Sequence, residues 1–136
     1  MIDAKKYQDL LEGGRKKAAQ LEKRNAPLVK AVDDAQRVVD DLASQIRALQ
    51  KRLSDFEAGE VVMTDEEFMT ARARVDLLKI KRQRAGEALG VAVDALKAAE
   101  NTARGELGEL RNAALKDWGE DHFLADQEYR KAWAAL

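Results

Sequence analysis

The chain has 136 residues, 36% of them charged and only 5% aromatic, and its 24 Lys and Arg against 25 Asp and Glu leave a net charge of −1. It has no cysteine and one histidine, His122, which excludes disulfides, the usual zinc sets and a Cys–His nucleophile pair. Near-neutral charge gives no global pull on nucleic acid, and no stretch approaches the roughly 20 apolar residues of a membrane span.

Much of the 46% hydrophobic fraction is alanine. Ala, Glu, Lys, Leu and Arg with a repeat near 3.5 residues make long helices. The expected fold is all-α: a long antiparallel helical hairpin, a coiled coil, with shorter N- and C-terminal helices, bundle-forming. The first residues, Met1 to Lys6, have no apolar core, so no signal peptide is expected. Absence of cysteine fits a reducing compartment, and a cytoplasmic location is the expectation.

In chain order, residues 1–26 form a basic helical segment. Tyr7, Leu10, Leu11, Ala18 and Leu21 give it an interrupted apolar stripe, and Gly13-Gly14 in its middle predicts a kink, fraying or two short helices. Asn25-Ala26-Pro27 predicts a boundary, because proline suits a first helical turn and pushes its predecessor out of helical geometry.

A second helix is expected from about 27 to 57, within a hairpin covering 27–117. Its seam is an unbroken heptad: Val32, Val39, Ile46 and Leu53 at one core position, and Leu28, Ala35, Leu42, Leu49 and Phe56 at the other. One helix cannot bury such a seam alone. Gly59 ends this helix, and the turn lies near 58–64. Thr64-Asp65-Glu66-Glu67 then reads as a capping box, with Met63 and Phe68 placed as a hydrophobic staple. The three acidic residues suit the positive end of the helix dipole.

The third helix is expected from 65 to at least 103, with 117 as its outer limit. Its main stripe is Phe68, Ala71, Val75, Leu78, Arg82, Ala85, Leu89, Ala92, Leu96, Ala99 and Ala103. A second set, Met69, Leu77, Ile80 and Val91, points away from it, since Leu77 lies about 180° from Phe68 at about 100° per residue. A helix apolar on two sides wants two partners. Gly86 and Gly90 lie near the main stripe, where they either permit close helix approach or are merely tolerated. The tail, 118–136, reads as a short helix rich in aromatics.

Charge favours the hairpin. With that turn, Asp40 and Asp41 are expected opposite Lys79, Lys81 and Arg82, and Arg47, Lys51 and Arg52 toward Glu66, Glu67 and Asp76. A parallel dimer of the second helix is the competing topology.

These features predict a non-enzymatic interaction protein with no cofactor: a homo-oligomeric scaffold, assembly adaptor or inhibitor that binds other proteins. Met69, Leu77, Ile80 and Val91 are the candidates for self-association. Trp118, Phe123, Tyr129 and Trp133 are the candidates for partner docking, since aromatics carry much interface energy; packing on the bundle end is the competing role. A nucleic-acid-binding accessory protein using Lys16, Lys17, Lys23 and Arg24, which nothing acidic obviously faces, is the second reading. A metal-dependent all-α hydrolase using Asp33, Asp34, Asp40 and Asp41 is the third, although those carboxylates fall on outer heptad positions where solvation explains them.

Overall fold

The computed structural model describes residues 4–116, 131, 132 and 134–136. Two long helices, α1 (Ala4–Glu57) and α2 (Asp65–Lys116), pack against each other. Among the described residues there is no strand.

α1 is one helix where two were expected. It passes through Gly13-Gly14 and carries Pro27 inside it. The reason lies in the seam. Leu11, Gly14, Ala18, Leu21, Asn25 and Leu28 continue the heptad of Val32 to Phe56 backward in phase, and each is buried or half-buried. Proline in a helix interior costs about 3 kcal/mol, and tertiary burial on both sides of it outweighs that cost. Gly14 and Asn25 hold seam positions without being apolar, so the apolar pattern alone breaks there.

The chain divides into two compact units, Met1–Pro27 with Leu96–Leu136, and Leu28–Ala95. In the first, Leu11 and Ala114 form a buried cluster, with Leu10 and Ala132 packed against it. Leu21 is buried there too, and Asn25, at 8% exposure, is the one buried polar side chain among the described residues. A polar residue at a heptad core position lowers stability and favours a single register.

In the second unit, Ile46, Val75 and Leu78 form the buried cluster, flanked by Leu42, Leu49 and Leu53. Each such side chain contributes roughly 1.5–3 kcal/mol by leaving water. Every residue of the expected α1 heptad is buried or half-buried, and so is every residue of the main α2 stripe except Arg82.

The turn is fixed at both ends. The Gly59 amide donates to the Phe56 carbonyl at 3.0 Å and the Glu60 amide to the Asp55 carbonyl at 2.9 Å, with Gly59 at φ 81°. That is a Schellman cap. At the start of α2 the Glu67 amide donates to Thr64 Oγ1 at 3.1 Å, and the Thr64 amide donates to Glu67 Oε2 at 3.4 Å. The capping box therefore forms as the sequence predicts. Phe68 meets Phe56 with ring centroids 5.2 Å apart, so the staple position also ties the two helices together. A Cβ on Gly59 would meet nothing within 4 Å. Gly59→Ala is therefore expected to cost about 1 kcal/mol by backbone strain alone, measured as a lowered denaturation midpoint.

Charge pairing does not fix the register as expected. Among the described residues no ion pair joins Asp40 or Asp41 to Lys79, Lys81 or Arg82, nor Arg47, Lys51 or Arg52 to Glu66, Glu67 or Asp76. Asp40 instead accepts from Gln36 on its own helix at 3.0 Å. The register rests on the apolar cluster, which is consistent with the small worth of exposed pairs. Close approach at Gly86 and Gly90 is likewise not found: a Cβ on either would meet nothing within 4 Å.

Candidate functional site

The outer side of α2 carries the most exposed apolar surface of the Leu28–Ala95 unit. Met69 and Val91 are each 71% exposed, Leu77 52% and Ile80 50%. The geometry follows from helical phase: Val75 and Leu78 turn into the seam, so residues about half a turn away must turn out. Val29, Val38 and Val62 are exposed in the same unit, and Val62, at the turn, is 96% exposed. The buried hydrophobics of the unit are Ile46, Met63, Ala71, Val75 and Leu78. Its exposed large hydrophobics, seven, thus outnumber its fully buried large ones, the four other than Ala71. Single exposed apolar residues need no explanation, whereas an aligned set does.

The basic candidates of the first unit are less free than their sequence suggests. Arg24 grips Glu106 through two hydrogen bonds, Nη2 to Oε2 at 2.8 Å and Nη1 to Oε1 at 3.3 Å. This fork is the strong form of an ion pair. It holds the Glu106 carboxyl below the usual carboxylate range, chiefly by hydrogen bonding; partial desolvation opposes this, and the charges of Arg24 and Lys17 add to the lowering. The expectation that nothing acidic faces this cluster is therefore corrected at Arg24, and Lys17 lies within reach of the same carboxylate's field. Lys16 and Lys23 are exposed. Glu106 follows Ala103 by three residues, which makes it the next seam position of α2, and it is half-buried there.

A group whose folded pKa is depressed stabilises above the usual carboxylate range and loses that contribution as pH falls through its folded value. Stability from the Arg24–Glu106 pair should therefore fade on acidification. Arg24→Met is expected to return the Glu106 carboxyl to its ordinary titration range, as read by NMR, and to remove that part of the acid dependence.

Among the described residues, no group of three or more His, Asp or Glu is placed to hold a metal ion. The aspartates at 33, 34, 40 and 41 are exposed. No helix among the described residues is long and apolar enough to cross a membrane. Trp118, Phe123, Tyr129 and Trp133 lie outside the described residues, as does His122. The chain matches no known protein family, no curated protein and no solved structure.

Proposed function

We propose that this chain is a non-enzymatic interaction protein that self-associates through the outer face of α2 and acts as an oligomeric scaffold, assembly adaptor or inhibitor toward other proteins. In this reading the two helices form an antiparallel hairpin with coiled-coil packing, and hairpins combine into a larger bundle. The observation that carries it is the excess of exposed over buried large hydrophobics in the Leu28–Ala95 unit. Met69, Leu77, Ile80 and Val91 stay at least half exposed on one side of α2 while the seam is covered, and an aligned apolar set of this kind gains by being covered in turn. The order of the contacts supports the hairpin: Phe56 meets Phe68, and Ile46 clusters with Val75 and Leu78. The bound state of Arg24 weighs against the nucleic-acid reading of the N-terminal cluster.

The test is size-exclusion chromatography with light scattering on the wild-type chain and on Leu77→Asp/Ile80→Asp. The wild type should run as a defined oligomer. The double variant should run as a monomer with unchanged helicity, because two carboxylates on this face cannot be buried cheaply. An unchanged mass for the variant would mean that this face is not the interface.

A further inference from the structure

The turn end of the Leu28–Ala95 unit and the section beside it carry opposite charge. Between Asp55 and Glu67 lie six carboxylates, Asp55, Glu57, Glu60, Asp65, Glu66 and Glu67, and no cation. The adjoining part of α2, residues 68–84, holds six cations, Arg72, Arg74, Lys79, Lys81, Arg82 and Arg84, against the single carboxylate of Asp76. Residues 44–54 of α1 add three further cations and no carboxylate. All nine cations are exposed, and among the described residues none of them forms an ion pair. Apolar groups are distributed to match. Val62 stands out from the acidic tip, while Met69, Leu77 and Ile80 stand out from the basic band.

We infer that two copies of this chain join with their turn ends overlapped about a two-fold axis, the acidic tip of each lying on the basic band of the other. This rests on the self-association reading above and adds its geometry. A two-fold contact is reciprocal, so one rotation seats both tips on both bands and closes the assembly as a dimer. Side-by-side pairing with the tips aligned would set carboxylates against carboxylates and cations against cations, an arrangement that costs several kcal/mol in like-charge contacts. The overlap from the tip to Arg84 is roughly 30 Å long at about 1.5 Å per residue and two helices, roughly 20 Å, wide. Burial on the order of 1,000–1,500 Å² in total follows, near the lower bound of stable interfaces. Apolar contact supplies the affinity. The charges, screened beyond about 8 Å at physiological salt, select the orientation.

The test uses two full-length variants. One reverses the band, Lys79→Glu/Lys81→Glu/Arg84→Glu. The other reverses the tip, Glu57→Lys/Glu60→Lys/Glu66→Lys, and leaves the Thr64–Glu67 box intact. At low salt each alone should lose dimer, with the dissociation constant raised at least about tenfold, while far-UV circular dichroism stays unchanged. Mixed one to one, they should restore a dimer of twice the 15.2 kDa chain mass, because the acidic band of one then meets the basic tip of the other and the reverse. If both variants dimerise as the wild type does, or the mixture stays monomeric, the arrangement is overturned. If those results coincide with dimer loss in Leu77→Asp/Ile80→Asp, self-association through α2 stands. A wild type that is monomeric at every concentration overturns both. Retardation of a duplex DNA by the wild type and not by the band variant, with dimerisation unchanged in both, would reassign the band to a polyanion.

Discussion

Leu78→Ala is expected to lower the unfolding free energy by about 2–4 kcal/mol, the loss typical of a truncated core leucine. Leu78 is 4% exposed and sits with Ile46 and Val75 in the buried cluster of its unit. Only Leu42, Leu49 and Leu53 pack around that cluster as partly buried neighbours. A seam this narrow has few side chains with which to fill the gap, so the cavity term persists alongside the lost transfer energy. Chemical denaturation followed by circular dichroism measures the change. The adjoining Leu77 provides the contrast, because it lies on the other side of α2. An equal loss for Leu77→Ala would mean that both sides of the helix are equally covered in solution.

The second large effect has the opposite sign. Gly13, Gly86, Gly90, Gly105 and Gly108 all lie inside helices, and a Cβ on any of them would meet nothing within 4 Å. Among the described residues the only positive φ is at Gly59. Alanine at the other five positions therefore keeps the helical conformation, adds no clash and narrows the unfolded ensemble. At roughly 0.8–1.0 kcal/mol each, the five substitutions together should stabilise the chain by about 4 kcal/mol. A raised denaturation midpoint checks this. Destabilisation concentrated in Gly86→Ala or Gly90→Ala would reveal another surface lying close on α2 there.

The sequence and the structure agree where a signal is local or strictly periodic. Thr64 and Glu67 carry their cap in their own side chains, and Gly59 carries the turn in its missing Cβ. The seams of both helices repeat often enough that single residues do not matter. Agreement fails where one residue is read as overruling its neighbours. Pro27 and Gly13-Gly14 look like breaks only if Asn25 and Gly14 are read as polar or small rather than as seam positions. Their phase with Leu11, Leu21 and Leu28 was the available signal. Glu106 as the partner of Arg24 was not legible, since 82 residues separate them and many carboxylates compete for that place. The expected cross-helix charge pairs failed for a related reason: approximate opposition does not bring long, solvated side chains within bonding distance. The outer apolar face of α2 follows from helical phase, and its partner does not.

The doubly capped turn also has a kinetic consequence. Phe56 and Phe68 are 12 positions apart, by their numbers, whereas Arg24 and Glu106 are separated by 82. The entropy lost in closing a loop grows with the logarithm of its length, so the first contacts belong to the turn. Once Gly59 and Thr64 have set both helix ends, the contacts of Ile46 with Val75 and Leu78 in the same unit close only a short additional loop. Damage to the caps then falls on the rate of folding. Damage around Leu11 and Ala114, the last contacts to form, falls on the rate of unfolding. The turn is thus where the chain commits to its fold.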